Sequence, residues 1–421
     1  MSDLDRGRAA RLMAARGIDA LVLFQPEAFR YATGLDTGAA GMWRRGGASV
    51  ALVPADTRMP MAAILADHAL HFGPQPGHAL ELMTHPIWID YVDYTHSGGD
   101  VLEGLGSAYR AQGLARPQFP PRPETFDAAA VFGLLHDLLC DRGLGRARIG
   151  VDLEFLPAAD FALLRRLLPT ARWSDGSDVL RRLRAIKTPR EIACLRQASE
   201  ASEAGLAHMA ARARPGLTRS ALERLWRDGA EAHAARAGQT ISGLRAGISV
   251  GANLVSSDPV LATGDLVKAD MGVAIGGYLS DGTRTFSLGP APQAARDLFT
   301  VLEESFDAGA ALLRPGTPLG EVHAAVLDRA RRLGLASYQR GHFGHSVGAS
   351  CGSEEWPFIS AGNPEPIEPG MVLAFETPFY AHGLGALMIE DQFLITREGA
   401  EPMNRLPRGL TRLGQDMPLT V

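Results

Sequence analysis

Four acidic residues lie at the ends of apolar stretches in the C-terminal half of the sequence. Asp270 ends GDLVKAD, and Asp281 lies eleven residues later in YLSDGT. Glu376 ends GMVLAFE, and Glu390 follows it in IEDQFLIT. Aspartate is depleted from strands because its short carboxylate competes for backbone hydrogen bonds. Two predicted strand hairpins that each carry two carboxylates therefore need a chemical explanation.

The two acidic pairs belong to an internal repeat. RPGLTRSALERL begins at Arg214 and RPGTPLGEVHAAVL begins at Arg314, and each is a loop that leads into an amphipathic helix. GDLVKAD and GMVLAFE each place an acid six positions after a glycine. A duplication of this kind predicts two halves related by a pseudo-two-fold axis, which would bring the four carboxylates together. Carboxylates crowded in one buried pocket require neutralisation, and divalent cations provide it economically.

An imidazole usually joins such a site, and GHFGHSVG offers His342 and His345 between the two hairpins. Two metal ions roughly 3.5–4 Å apart need bridging carboxylates, and β-strands can hold such carboxylates in a fixed geometry. Oxygen ligands with one imidazole favour Mn²⁺, Fe²⁺ or Co²⁺ over metals that prefer sulfur, with Zn²⁺ as an alternative. We therefore predict two divalent metal ions, with Mn²⁺ as the expected metal.

The N-terminal part alternates helices and strands, which predicts an α/β domain. The predicted helices are DLDRGRAARLMAARG, MAAILADH, DAAAVFGLLHDLLCDRGL and AADFALLRRLLP, and the predicted strands are DALVLF, ASVALVP and RIGVDLE. RPQFPPRPETF, from Arg116 to Phe126, is predicted as a surface loop. A long helix that starts at Pro189 opens a different region, so we place the boundary near Leu180 and predict domains of residues 1–180 and 181–421.

Composition and net charge argue against several classes of protein. The 421 residues are 46% hydrophobic and 21% charged with a net charge of −5, which does not favour nucleic-acid or membrane partners. The basic stretch LRRLRAIKTPR is interpreted as a solvated helix end. The sequence has no apolar run long enough to span a bilayer and no secretory signal pattern at its N-terminus. Three scattered cysteines predict a cytoplasmic protein without a disulfide framework.

From Leu180 onward the sequence resembles the pita-bread metallohydrolases, which include aminopeptidase P, prolidase, methionine aminopeptidase and creatinase. The motifs that carry the resemblance are KADMG, YLSDGTRTF, GHSVG, EPGMVLAFETPFY and IEDQFLIT. FRYATG and RIGVD are similar to the N-terminal domain of creatinase, prolidase and aminopeptidase P. The resemblance implies an α/β N-terminal domain plus an α+β pita-bread C-terminal domain with an internal pseudo-two-fold repeat. It implies five metal ligands: Asp270, Asp281, His345, Glu376 and Glu390.

The resemblance also assigns roles to single residues. Asp281 and Glu390 would bridge the two metal ions, and Glu376 would act as the general base that moves a proton to the leaving nitrogen. Thr283 and Arg284 would orient the carboxylates, with an ordinary strand residue as the alternative for Arg284. The implied activity is metal-dependent hydrolysis of a C–N bond, with a dipeptide or Xaa-Pro peptide as the default substrate.

Three positions differ from prolidases and aminopeptidases P. The loop SVGANLVSSDPVLATGD lacks their histidine, Gly352 stands where a second histidine is usual, and Met388 stands where an arginine is usual. The candidates to replace these groups are His342, which is also a catalytic candidate, His382, Glu354 and Glu355. The differences predict poor turnover of Xaa-Pro dipeptides. They leave open a small-molecule enzyme on this scaffold (creatinase-like, ectoine-hydrolase-like or dimethylsulfoniopropionate-lyase-like) and a non-catalytic peptidase-like binding module.

The loop GLDTGAAGMWRRGG carries an aromatic and two cationic side chains, Trp43, Arg44 and Arg45. In creatinase an aromatic residue and an arginine at a similar place enter the site of the neighbouring subunit. The resemblance therefore implies a homodimer in which one arginine binds a substrate carboxylate across the interface. The alternative is a solvated loop with a partly buried tryptophan.

Overall fold

The computed structural model describes residues 2–69, 80–94, 100–111, 121–350 and 354–415. The chain divides into two compact units, Met1–Leu183 and Arg184–Val421, so the division falls shortly after Leu180. Among the described residues, no helix is both long and apolar enough to cross a membrane.

In the N-terminal unit, strands form a mixed sheet in the order β4-β3-β2-β1-β5-β6. The strands are β1 (Ala20–Leu23), β2 (Val50–Pro54), β3 (Met61–Ala66), β4 (Leu80–His85), β5 (Arg148–Val151) and β6 (Arg172–Asp175). Successive strand residues point to opposite faces. Leu21 and Leu23 accordingly enter one hydrophobic core, while Ala20 and Val22 enter the other.

The helices of this part of the chain confirm most of the predicted α/β alternation. They are Arg6–Ala14, Pro26–Thr33, Val101–Ala111, Ala128–Asp141, Ala158–Leu167 and Ser177–Ala185. The prediction of a helix in MAAILADH was wrong, because Met61–Ala66 is strand β3, paired with β2 on one side and β4 on the other. A short apolar run buried within a sheet has the same sequence pattern as a short buried helix, so the sequence alone does not distinguish the two. Part of the predicted loop Arg116–Phe126 lies outside the described residues.

The C-terminal unit is built on a sheet in the order β12-β11-β13-β16-β10-β8-β7. Its strands are β7 (Ile241–Val250), β8 (Leu266–Ile275), β9 (Tyr278–Leu279), β10 (Thr283–Ser287), β11 (His342–Ser346), β12 (Glu355–Ser360), β13 (Val372–Glu376), β14 (Phe379–Ala381), β15 (Gly385–Leu387), β16 (Glu390–Ile395), β17 (Ala400–Pro402) and β18 (Thr411–Arg412). Its helices are Pro189–Arg212, Arg219–Arg236, Gln293–Ala310 and Leu319–Arg332. Pro189 begins the first of these helices, as the sequence predicted, and the structure adds a Thr188–Glu191 capping box at this helix start.

The internal repeat is visible in the backbone pairing. Gly216 N–H donates to the Leu261 carbonyl at 2.8 Å, and Gly316 N–H donates to the Ile367 carbonyl at 2.8 Å. Each Arg-Pro-Gly loop thus ties the start of its helix to the segment that precedes a strand of the sheet. Both halves of the unit repeat this contact, with donor glycines 100 residues apart.

Strand β8 carries apolar side chains on one face and polar side chains on the other. In β8, Val267, Ala269 and Met271 belong to a hydrophobic core that includes helix residues. Because side chains alternate, Lys268 and Asp270 project from the opposite face. At β8 the sheet therefore separates an apolar core from a polar face that carries Asp270.

The basic stretch before Pro189 was wrongly interpreted as a solvated helix end. Arg184 and Lys187 are both buried. The Arg184 guanidinium pairs with the Glu355 carboxylate, and Lys187 Nζ donates to Ser346 Oγ at 2.5 Å. These buried cations are structural parts of the C-terminal unit.

Candidate metal centre

Strand register places the acidic residues in one row across the sheet. Gly247 of β7 pairs with Asp270 of β8, Asp270 pairs with Thr283 of β10, Thr283 pairs with Glu390 of β16, and Glu390 pairs with Glu376 of β13. Directly opposed residues on neighbouring antiparallel strands project from the same face. The row therefore brings carboxylates from both halves of the repeat onto the polar face.

Asp281 and His345 approach the same row from its neighbouring strands. Asp281 lies two residues before Thr283, and its backbone N–H donates to Gln392 Oε1 at 2.5 Å. His345 of β11 pairs with Ala374, which lies two residues before Glu376. The preceding residue must be glycine, because Gly344 has φ 141° and a Cβ there would lie 2.1 Å from the Ala374 carbonyl oxygen.

Three of the five predicted ligands present donor atoms that all lie within 4.8 Å of one another: Asp281, His345 and Glu390. His345 Nδ1 lies 3.0 Å from the Ser346 carbonyl, to which it can donate only as N–H. That tautomer leaves the Nε2 lone pair directed at the site, 3.8 Å from Asp281 Oδ2. Burial lowers the pKa of His345, which favours the neutral, metal-binding imidazole. These donors fit a divalent cation.

The carboxylates of this cluster are strongly perturbed. Burial raises the pKa of Asp281 to about 8, with Arg245 opposing and Asp270 adding to the shift. Burial also raises the pKa of Glu390 well above its usual range, and the neighbouring Asp281 and Asp270 raise it further. A cation that binds here must displace protons, so its affinity should increase with pH.

Glu376 lies beside this cluster and has its own partners. Arg340 Nη2 donates to Glu376 Oε1 at 3.1 Å, and His342 Nδ1 lies 3.6 Å from the same oxygen. Burial raises the pKa of Glu376, although Arg340 and His342 oppose that shift. His342 Nε2 lies 3.3 Å from Glu354 Oε2, and this contact raises the pKa of His342. Glu376 is thus linked to a titratable chain that ends at the half-exposed Glu354.

Asp270 faces two cations that the sequence analysis missed. Arg245 Nη2 lies 2.9 Å from Asp270 Oδ1 and also contacts Asp281 Oδ1. Lys268 Nζ donates to Asp270 Oδ2 at 3.2 Å. Burial alone would raise the pKa of Asp270, but Lys268 and Arg245 outweigh it and lower the pKa. A lone arginine in the strand ISGLRAGISV is typical of an exposed position, and only the register with β8 places it beside Asp270.

Thr283 and Arg284 support different parts of the site. Thr283 Oγ1 donates to Glu390 Oε2 at 2.7 Å, so it orients that carboxylate. Arg284 projects to the other face of the sheet, where it donates to the Glu390 carbonyl at 2.9 Å and to Asp391 Oδ1 at 2.7 Å. Arg284 therefore fixes the backbone at Glu390 and contacts none of the cluster's carboxylates.

The loop that carries Trp43, Arg44 and Arg45 makes internal contacts in the N-terminal unit. Arg44 Nη1 donates to Glu27 Oε1 at 2.8 Å. Arg45 Nε donates to the buried Asp160 Oδ2 at 2.7 Å. Trp43 forms an edge-to-face contact with a second tryptophan at 6.0 Å between ring centroids. These contacts favour the alternative of a loop with a partly buried tryptophan and no role at the site. Substrate binding by either arginine stays a prediction.

The other candidate replacement groups occupy varied positions. His382 is exposed in the turn between β14 and β15. Glu355 is committed to Arg184, whereas Glu354 Oε1 lies 4.0 Å from His345 Nε2. Met388 is buried, with its N–H donated to Thr285 Oγ1. Gly352 lies outside the described residues.

Comparison with known proteins identifies the family. The model of metallopeptidase family M24 matches residues 193–397, and the model of the creatinase/prolidase N-terminal domain matches residues 6–65. A probable dipeptidase PepE of Mycobacterium tuberculosis is 34% identical over 266 residues, which cover 61% of this chain and 67% of the relative. The chain belongs to metallopeptidase family M24. A Xaa-Pro dipeptidase of Pyrococcus furiosus is 31% identical over 240 residues, covering 55% of this chain and 67% of the relative.

The fold agrees with this membership of family M24. The solved structure of a Xaa-Pro dipeptidase from Bacillus anthracis superposes with a TM-score of 0.73 at 21% identity, covering 96% of this chain and 99% of that chain. The predictions of an α/β N-terminal domain, a pita-bread C-terminal domain and a metal-dependent hydrolase are confirmed. Membership of family M24 implies divalent metal ions, which agrees with the donors of Asp281, His345 and Glu390.

Proposed function

We propose that this chain hydrolyses dipeptides, with Xaa-Pro dipeptides as the default substrates, at a centre that contains Asp281, His345 and Glu390. The convergence of these three donor atoms, with Glu376 paired opposite Glu390, carries the proposal. Two relatives that are at least 30% identical have names that describe dipeptidases, which supports a short peptide as substrate. We keep Mn²⁺ as the expected metal because oxygen donors dominate the site.

The chain's own residues divide the chemistry between them. A divalent cation bound by Asp281, His345 and Glu390 would supply Lewis acidity and an activated water. Glu376 accepts the proton from the nucleophile and delivers it to the leaving nitrogen, and its raised pKa makes it a stronger base than an ordinary carboxylate. Arg340 donates to Glu376 Oε1 and orients the carboxylate, and His342 lies beside it.

The test is a substrate panel assayed with purified, Mn²⁺-loaded protein. Xaa-Pro dipeptides, the matching Xaa-Ala dipeptides, creatine, ectoine and dimethylsulfoniopropionate are incubated separately, and the released products are quantified by mass spectrometry. We expect release of the N-terminal amino acid from dipeptides and its loss in Asp281→Asn, whereas the exposed Asp297→Asn should retain activity. Turnover of a small molecule without any turnover of dipeptides would refute the proposal.

The loop without a histidine and the buried Met388 support a further part of the proposal: Xaa-Pro dipeptides are turned over slowly. A kcat/KM for Xaa-Pro dipeptides in the ~10⁴–10⁸ M⁻¹s⁻¹ range of efficient enzymes would contradict it. The homodimer and the cytoplasmic location remain predictions from the sequence.

A further inference from the structure

We propose that Arg245 takes the place of one of the two metal ions, so that this chain binds a single divalent cation. This inference rests on the proposed metal centre and changes its composition. The guanidinium group lies between Asp270 Oδ1, at 2.9 Å from Nη2, and Asp281 Oδ1, which the same nitrogen contacts. One positively charged group thus links two carboxylates, as a metal ion bound by both of them would.

Asp281 divides its two oxygens between two different partners. Oδ1 contacts Arg245, while Oδ2 faces His345 Nε2 at 3.8 Å. The carboxylate therefore acts as a bridge between the arginine and the site formed with His345 and Glu390. The cluster of mutually close donor atoms includes Asp281, His345 and Glu390, and Asp270 is not part of it among the residues the structure describes.

Both oxygens of Asp270 already face cations. Lys268 Nζ donates to Oδ2 at 3.2 Å, and Lys268 is itself buried at 5% exposure, so it cannot easily leave. Asp270 Oδ1 accepts no well-aligned hydrogen bond, so its contact with Arg245 is ionic. A divalent ion bound by Asp270 would have to displace Arg245 and would then lie beside the Lys268 ammonium group, which repels it.

Charge balance also favours one ion. Five carboxylates surround the site: Asp270, Asp281, Glu354, Glu376 and Glu390. Three cations contact them: Arg245, Lys268 and Arg340. When a cation binds and all five carboxylates are ionised, these side chains carry a net charge of minus two, which a single divalent cation balances.

The experiment measures the number of ions bound without relying on activity. Purified protein is stripped with a chelator, loaded with Mn²⁺ and freed of excess ion, and its metal content is determined by mass spectrometry. Electron paramagnetic resonance then distinguishes isolated Mn²⁺ from an exchange-coupled pair. We expect about one Mn²⁺ per chain and an uncoupled signal for the wild-type protein.

Variants of Arg245 test whether the guanidinium group sets this number. Arg245→Asn, which removes the charge and opens space, should bind a second Mn²⁺ and give a coupled signal, whereas Arg245→Lys should stay near one. Arg224→Asn, which removes an exposed arginine from the helix Arg219–Arg236, should also stay near one.

Two ions in the wild-type protein would overturn the inference and leave the proposed function intact, and that measurement needs no variant to fold. One ion in a folded Arg245→Asn would also overturn it. Binding of no ion by the wild-type protein would overturn both the inference and the proposed metal centre.

Discussion

The substitution Thr283→Val tests how the chain prepares Glu390 for a metal ion. Thr283 Oγ1 donates to Glu390 Oε2 at 2.7 Å, and the two residues are 0% and 2% exposed. A hydrogen bond to a charged group contributes ~1.5–3 kcal/mol. Because the pKa of Glu390 is raised well above its usual range, its anionic form depends on such donors and on the cation. Loss of the bond should therefore raise the Kd for Mn²⁺ by about 10- to 100-fold.

Thr285→Val provides a matched control for this prediction. Thr285 lies two residues further along β10, is also 0% exposed, and exchanges hydrogen bonds with the backbone of Met388 instead of a carboxylate. It should lower the free energy of unfolding but change the Kd for Mn²⁺ by less than about twofold. The Kd for Mn²⁺ is measured by competition with a fluorescent chelator, and the free energy of unfolding is measured by urea unfolding. An unchanged Kd in Thr283→Val, or an equal rise in both variants, would refute the reasoning.

Three further predictions concern other parts of the chain. Glu376→Gln should lower kcat by about 10²–10⁴-fold, because it removes the proton acceptor, and should leave the metal content of the protein unchanged. Stopped-flow kinetics gives kcat, and metal analysis gives the metal content. A decrease in kcat of less than about tenfold would contradict the prediction. Asp152 is buried, and burial raises its pKa to about 7. The native state therefore holds a proton that the unfolded state has lost. The free energy of unfolding should fall by up to ~4 kcal/mol as pH rises from about 4 to 7. Urea unfolding should show this slope reduced in Asp152→Asn, and equal slopes would contradict the assignment. Arg45→Ala should lower the free energy of unfolding by ~1–3 kcal/mol with kcat unchanged, because it leaves the buried Asp160 short of partners. Recovery of lost activity on mixing Arg45→Ala with Asp281→Ala would instead assign Arg45 to the neighbouring subunit's site.

The sequence was enough to predict the acidic row and its repeat, because both follow from spacing along the chain. Asp270 and Glu376 each end a short apolar run, and the two Arg-Pro-Gly loops mark where the halves correspond. Strand pairing then joins the two halves where Thr283 lies opposite Glu390, which puts Asp270 and Glu376 in one row.

The cations of the site could not be predicted in the same way. Arg245 lies on a neighbouring strand, and its position beside Asp270 depends on a register that one sequence does not reveal. Lys268 lies in a largely apolar strand, where a lysine is normally taken for an edge residue. The strand Met61–Ala66 was missed for a related reason, since its buried position depends on partners distant in the chain.

The position of the bound metal ion distinguishes the proposed metal centre from any other arrangement. Crystals of the Mn²⁺-loaded protein would give an anomalous difference map at the manganese absorption edge. We predict one peak within coordination distance of donor atoms of Asp281, His345 and Glu390. A second peak at Asp270 would contradict the role of Arg245 alone, whereas no peak, or a peak remote from these three residues, would contradict the proposed metal centre itself.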